Sequence, residues 1–334
     1  MTRFISAADV AQLRRRGDAG LDAHIEAVAN AYREFGQGTA RLLGRQSLNT
    51  DPDPDSPRPR SFKIMGAALL NAGVMGVVTY PAGYGRPLDF RIVLSSAIGG
   101  EPLAIVEGEA VTQWATASVT AVATRALARE DAKILGVIGT GTFAFDQPLA
   151  IARVRQIEQL RCYSRDPAKR EDFARRLGAE LQGVEVRAVG SAAEAAEADI
   201  LTTVTTAHAP VVASDEIGAG LHINAIGMHY PKTREIDSDT MARARVFVDD
   251  IAQTHEEKGE FLIPLSEGVI RETHLLGDLG GLLAGKVEGR RASEDLTLFG
   301  SGGTAIEYIG VAACLAEAAE AAGIGAVLPG SGPA

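Results

Sequence analysis

Residues 133–147 read KILGVIGTGTFAFDQ, an aliphatic run broken by two glycines spaced two apart. Gly139, Gly141 and Ala144 make a G-x-G-x-x-A pattern. The first glycine permits a tight turn. The second removes a side chain where a pyrophosphate would lie on the backbone. The small third residue lets strand and helix pack closely, with the helix N-terminus toward the phosphates. The pattern carries weight here because it follows a predicted strand, precedes a predicted helix and sits in a βαβ unit. It points to dinucleotide binding, with Thr142 and Phe143 inside the turn as further contacts.

The next strand ends RCYSRDP. An acidic side chain at this position suits the ribose 2′-hydroxyl of NAD, whereas a hydroxyl and a guanidinium suit a 2′-phosphate. The position holds Ser164, followed by Arg165, with Lys169 and Arg170 one turn on. NADP(H) is therefore favoured and NAD(H) possible, the competing reading being that Asp166 reaches back to the ribose. In open parallel sheets ligands gather at the carboxyl ends of strands. That selects Thr203 and Thr205 after one strand, and Ile226, Gly227, Met228 and His229 after another, with Lys232 within reach.

Alternating strands and helices must hold these residues. ILGVIG, QLRCYSR, EVRAV, ADILTTVT, HINAIG and ARVFVDD read as strands, with helical stretches such as AKREDFARRLGAEL between them. That rhythm predicts a doubly wound parallel sheet. The region before it differs. Ser6 and Asp9 form a capping-box pattern, and a second helix is expected over residues 22–35. A Pro/Asp loop follows at 49–61, then strands in GVMGVVTYP, DFRIVLSSAIGG and EPLAIVEG, with Gly99-Gly100 as a hairpin signal. This region reads as antiparallel-rich α+β, and an Ala-rich helix near residue 305 closes the chain.

The chain has 334 residues and a net charge of −10 without a long basic run, which argues against nucleic-acid binding. Cys162 and Cys314 make no metal or disulfide spacing, and the histidines make no metal site. No apolar segment is long enough to span a membrane and the N-terminus does not read as a signal peptide, so a cytoplasmic protein is expected.

Beyond GTGTFA, the runs INAIGMHYPKTREID, ARVFVDD, LTLFGSGGTAIEYIG and GEAVTQWATASVTAVATRALARED together resemble the ornithine cyclodeaminase/mu-crystallin family over nearly the whole chain. The resemblance implies a Rossmann domain, residues 120–303. It is carried on a smaller α+β substrate and dimerisation domain, residues 1–119 with 304–334, in a homodimer. It also implies that Ser301 and Gly302 form a turn near the nicotinamide. The family's usual site holds two arginines, a lysine and an acid. Here the lysine position falls on Val78 or, in a shifted register, Met75; the second arginine position holds Ala115 beside Trp114; the acid position holds His229. The first arginine is sought at Arg58 or Arg60, and Lys63 and Arg91 are candidate replacements for the lost cations.

A histidine with an ordinary pKa near 6.5 can donate a proton as hydride arrives at carbon. His229 is thus the expected acid, with Arg60 and Lys63 beside it in the catalytic set; its competing role is to orient a loop. The expected activity is NAD(P)H-dependent reduction of an imine or keto compound, in which the cofactor carries the chemistry. Two alternatives remain: an ornithine-type cyclodeaminase that releases ammonia, and a crystallin-like NADP(H)-binding protein without turnover. Glu235 and Asp237 are expected to cap the helix that follows them.

Overall fold

The computed structural model describes residues 2–53, 56, 59–85, 88–227 and 230–329. It divides into two compact units, Met1–Ser118 with Thr304–Ala334, and Val119–Gly303.

The first unit opens with β1 (Arg3–Ile5), α1 (Ala7–Arg16) and α2 (Leu21–Gln37). The Ser6 hydroxyl accepts from Asp9 N while the Asp9 carboxylate accepts from Ser6 N, so the expected capping box forms. Then come β2 (Ala40–Asn49), β3 (Ser61–Leu69), β4 (Val74–Ala82), β5 (Arg91–Ser96) and β6 (Pro102–Glu107), before α3 (Glu109–Leu127) leads toward the second unit. Strands β2 to β6 form an antiparallel meander, and β1 pairs parallel with β6. Along β4, Val74, Val78, Tyr80 and Ala82 are buried while Met75 and Val77 are exposed, the alternation of a sheet covered on one face.

The second unit is an eight-stranded parallel sheet. Its elements, in chain order, are β7 (Ile134–Ile138), α4 (Asp146–Ile151), β8 (Gln159–Tyr163), α5 (Pro167–Glu180), β9 (Glu185–Ala188), α6 (Ala192–Ala196), β10 (Ile200–Thr203), β11 (His222–Ala225), α7 (Ser238–Arg243), β12 (Arg245–Val248), α8 (Ile251–Glu257), α9 (Gly259–Ser266), β13 (Leu275–Asp278), α10 (Leu279–Leu283) and β14 (Thr297–Gly300). The order across the sheet is β13-β12-β14-β11-β10-β7-β8-β9. Every residue of β10, β11 and β14 is buried, as strands covered on both faces require. The expected Rossmann-type doubly wound sheet is present, and the strand order reverses beside β7.

The chain then returns to the first unit as α11 (Ala305–Ala322) and β15 (Ala326–Val327), the latter pairing with β1. Helix α11 packs on β3, β4, β5 and α2. Its Gly310 lets the helices meet: a Cβ there would stand 3.3 Å from both Ala27 O and Ala31 Cβ. Six strands lie outside the sequence expectation, among them the short β1 and β15. β2 and β3 flank the Pro/Asp loop. β13 and β14 are only four residues each, and β14 enters the centre of the sheet between β11 and β12.

Candidate functional site

Strand β7 delivers the glycine turn to the carboxyl edge of the parallel sheet. Gly139 has φ +120°, and a Cβ there would lie 2.4 Å from Val204 O. Only glycine meets both conditions. Gly141 is different: a Cβ there would meet nothing within 4 Å. The chain's own packing therefore does not require glycine at 141, whereas close approach of a phosphate group to the backbone does. The residues present fit a dinucleotide. Ala144 is buried and donates from its N–H to Gly141 O. Thr142 is exposed and Phe143 half-buried. The helix does not begin at once, contrary to expectation. Residues 141–145 form turns, and α4 starts at Asp146 and runs six residues.

At the end of β8, Ser164 is half-buried and Arg165 exposed. The Asp166 carboxylate caps α5, accepting from Ala168 N at 3.0 Å and Lys169 N at 3.3 Å. Arg170 folds back over this edge. It donates to Ser164 O at 3.2 Å, with its guanidinium 5.7 Å from the Tyr163 ring centre. The acid is thus engaged by a helix, and Arg165, Lys169 and Arg170 give the strand end a cationic border.

The ends of β10 and β11 are joined by one buried carboxylate. Glu235 accepts from the Thr203 hydroxyl at 3.0 Å, from Thr205 N at 2.7 Å and from Gly227 N at 2.8 Å. It does not cap the following helix as expected; Asp237 does, accepting from Thr240 N. Burial raises the Glu235 pKa to about 7, helped by the negative charge of Glu260. Thr203 is wholly buried with its hydroxyl turned to Glu235, so it supports the edge from beneath. Ile226 is buried, Gly227 half-buried and Lys232 exposed. Met228 and His229 lie outside the described residues. At the end of β12, Asp249 gathers the chain that leaves β14, accepting from Ser301 Oγ at 2.9 Å, Gly302 N at 2.6 Å and Gly303 N at 2.8 Å. Ser301 and Gly302 therefore form a pinned turn.

In the first unit, the expected cations lie at the surface. Arg60 is exposed beside Asp51, its N–H donating to that carboxylate and its Nε 3.7 Å away. Lys63 donates to Ser47 Oγ at 2.6 Å. Arg91 pairs with Asp89 and Glu107. Arg58 lies outside the described residues. Among the described residues of this unit, the one buried Arg or Lys is Arg45. It sits in β2 where the register with β3 shifts between Leu43 and Gln46, a bulge of the kind that re-aims a side chain. Its positive charge acts on Tyr308, which also bonds Thr116; burial and the nearby Glu307 charge raise the Tyr308 pKa. Val78 and Ala115 are fully buried and Met75 is outward. Trp114 stacks on His24 with ring centres 4.8 Å apart.

Five residues escaped the sequence reading: Arg45, Asp249, Lys258, Glu260 and the tying role of Glu235. Asp249 lies in the ARVFVDD run already singled out, and Arg45 lies in a strand that was not read as one. Lys258 and Glu260 carry no periodic signal, because their partners are main-chain atoms far along the chain.

The ornithine cyclodeaminase/mu-crystallin family profile matches residues 12–323. The chain is 36% identical over 304 residues to a Delta(1)-pyrroline-2-carboxylate reductase of Bacillus cereus, covering 90% of this chain and 93% of that protein. Among solved structures, Thermococcus litoralis Delta(1)-pyrroline-2-carboxylate reductase, in complex with NADH and L-proline, superposes with a TM-score of 0.90 at 33% identity, covering 98% of this chain and all of that one. An archaeal alanine dehydrogenase dimer with bound NAD gives a TM-score of 0.88 at 28% identity, covering 97% and 98%. No helix among the described residues is long and apolar enough to cross a membrane. With its parallel sheet, glycine turn and full-length match, the chain belongs to the ornithine cyclodeaminase/mu-crystallin family.

Proposed function

We propose that this chain is an NAD(P)H-dependent reductase of an imine bearing a carboxylate. The observation that carries the reading is Gly141, open above a turn that packing alone does not explain, at the switch point of a parallel sheet. Relatives that are reductases of a cyclic imino acid support it. When bound, the reduced nicotinamide supplies hydride to the imine carbon. Gly139, Gly141, Thr142, Phe143 and Ala144 hold the pyrophosphate. Thr205, Ile226, Gly227, Met228, Ser301 and Gly302 border the nicotinamide half, and Thr203 supports them from beneath. Lys232 stands at the rim.

His229 donates the proton to the imine nitrogen, a task that suits an imidazole near neutral pH. Arg45, the buried guanidinium of the bulged strand, is the cation we assign to the substrate carboxylate, since a guanidinium shielded from water grips a carboxylate strongly. Arg60 and Lys63, each with a surface partner, serve at the periphery. Ser164 and Arg165, with Arg170, favour the 2′-phosphate of NADP(H), since the nearby Asp166 is committed to its helix cap. The relatives with NADH or NAD bound make NAD(H) the competing cofactor. The residue 1–119 with 304–334 portion acts as substrate and dimerisation domain, and exposed Met75, Val77 and Val93 on adjacent strands offer an apolar face to a second copy in a cytoplasmic homodimer.

The test is fluorescence titration with NADPH and NADH, followed by NAD(P)H oxidation assays on Δ1-pyrroline-2-carboxylate and open-chain imino acids. Tight cofactor binding and imine-dependent oxidation are expected. Binding without turnover of any imine or keto acid would sink the reading, and NAD carried tightly through purification would bring the cyclodeaminase chemistry forward.

A further inference from the structure

Three consecutive residues at the start of α9 reach three different parts of the strand-end edge. Lys258, 2% exposed, donates from Nζ to the main-chain oxygen of Ser301. Gly259 meets the 230–233 segment so closely that a Cβ would stand 1.9 Å from Thr233 O and 2.8 Å from Tyr230 O. Glu260, 2% exposed, accepts from the main-chain N of Glu235 at 3.1 Å. Glu235 in turn holds Thr205 N and Gly227 N. At Gly227 a Cβ would come 2.3 Å from Thr205 O and 2.6 Å from Glu235 Oε1, so this junction too has no room for a side chain. The two residues between the clamped Gly227 and Tyr230 are Met228 and His229. The chain before them is held by Glu235, itself bonded by Glu260, and the chain after them packs on Gly259, while Lys258 holds the 301 turn.

Resting on the reductase reading, we propose that Glu235, Glu260 and Lys258 are positioning residues for the reduction step, fixing the backbone on either side of residues 228–229 together with the 301–303 turn. The working form has Glu235 ionised, because three donors converge on its two oxygens and a proton there would compete with one of them. Glu260 Oε2 is buried with no hydrogen-bond partner, which leaves its charge directed at Glu235. Burial disfavours ionisation of both carboxylates; the Glu260 charge further opposes that of Glu235, while Lys258 and Arg234 favour the ionised form of Glu260. The positioning device therefore weakens as pH falls through the neutral range.

Two variants test this in the full-length protein. In Glu235→Gln an amide NH2 must face Thr205 N or Gly227 N, so at least one bond is lost. The expected result is a fall in kcat of about 10-fold or more, an NADH Kd within about fivefold of the parent, and faster amide exchange at Thr205 and Gly227. In Glu260→Gln the repelling charge is removed, and the acidic limb of the kcat–pH profile moves to lower pH. Unchanged kcat and exchange in Glu235→Gln, or an unmoved limb in Glu260→Gln, overturns the proposal. So does a uniform loss of Tm, binding and turnover, which marks a purely structural role. If the parent itself reduces no imine, the reductase reading fails instead. Amide exchange at Thr205 and Gly227 then still decides whether Glu235 holds these strand ends.

Discussion

Gly139 and Gly141 look equivalent in the sequence and are opposite in the structure. The first is demanded by a left-handed φ and by Val204 O 2.4 Å from its missing Cβ; the second is demanded by nothing in the chain. Gly139→Ala should lower Tm and abolish NADH binding together, because the turn itself cannot form. Gly141→Ala should leave Tm nearly unchanged, within about 0.5 kcal/mol of stability, yet weaken NADH binding at least tenfold. Thermal melts paired with fluorescence titrations separate the two, and unweakened binding in Gly141→Ala would remove the pyrophosphate from this turn. The β8 edge offers a second comparison. If Arg165 and Arg170 face a 2′-phosphate, replacing both by Ala should weaken NADPH by roughly 10- to 100-fold and NADH hardly at all, the range of lost hydrogen bonds to charged groups. Equal weakening of both nucleotides would assign these arginines to surface charge alone.

At the scale of elements, what the sequence discloses depends on how a strand is buried. β7, β10 and β11 are short, buried and separated by helical or turn-rich stretches, so the parallel sheet was legible, while its order was not, because β14 enters its centre from a run not read as a strand. β2 was not. Its sequence ARLLGRQSLN alternates poorly because a bulge interrupts its pairing with β3, and that bulge carries Arg45 inward. The same irregularity that hid the strand hid the one arginine that is buried among the described residues of the unit. Arg60 drew attention instead because the Pro/Asp loop is conspicuous, although its partner is the neighbouring Asp51. The glycine turn was legible because its geometry is local. The Glu235 junction was not, since it links Thr203, Thr205, Gly227 and Glu260 from separate stretches of chain. The bulge makes a prediction of its own: Arg45→Met, which keeps bulk and removes charge, should raise KM for a carboxylate-bearing imine at least tenfold while NADH affinity stays put. An unchanged KM in steady-state assays would return the carboxylate to Arg60 or Lys63.

For the whole molecule, buried titratable groups shape how stability responds to acid, and His24, His222 and Glu235 divide between the units. In the first unit His24 is buried against Trp114, and burial, with Arg14 nearby, lowers its pKa to about 4. In the second, burial lowers His222 to about 3 while it raises Glu235 to about 7. A histidine whose folded pKa is depressed binds its proton in the unfolded chain first, so stability is lost as pH falls below about 6.5. A glutamate whose folded pKa is raised acts oppositely: the folded state keeps its proton, and stability is gained as pH falls from about 7 toward 4.5. Within the second unit His222 acts against Glu235 and against Glu260, which burial also raises, whereas the His24 shift belongs to the first. Trp114 is the only tryptophan of the chain, so its fluorescence reports the first unit alone. Urea unfolding followed at Trp114 should therefore lose about 2 kcal/mol between pH 7 and pH 5, from about 1.5 pH units of proton uptake by one group. His24→Phe keeps the ring stacked on Trp114 and removes the titration, and its unfolding midpoint should be flat over the same range. A parent midpoint that does not move would mean that His24 takes up its proton without leaving the folded state. The two buried ring nitrogens, which have no hydrogen-bond partner in the structure, would then have to be served by water.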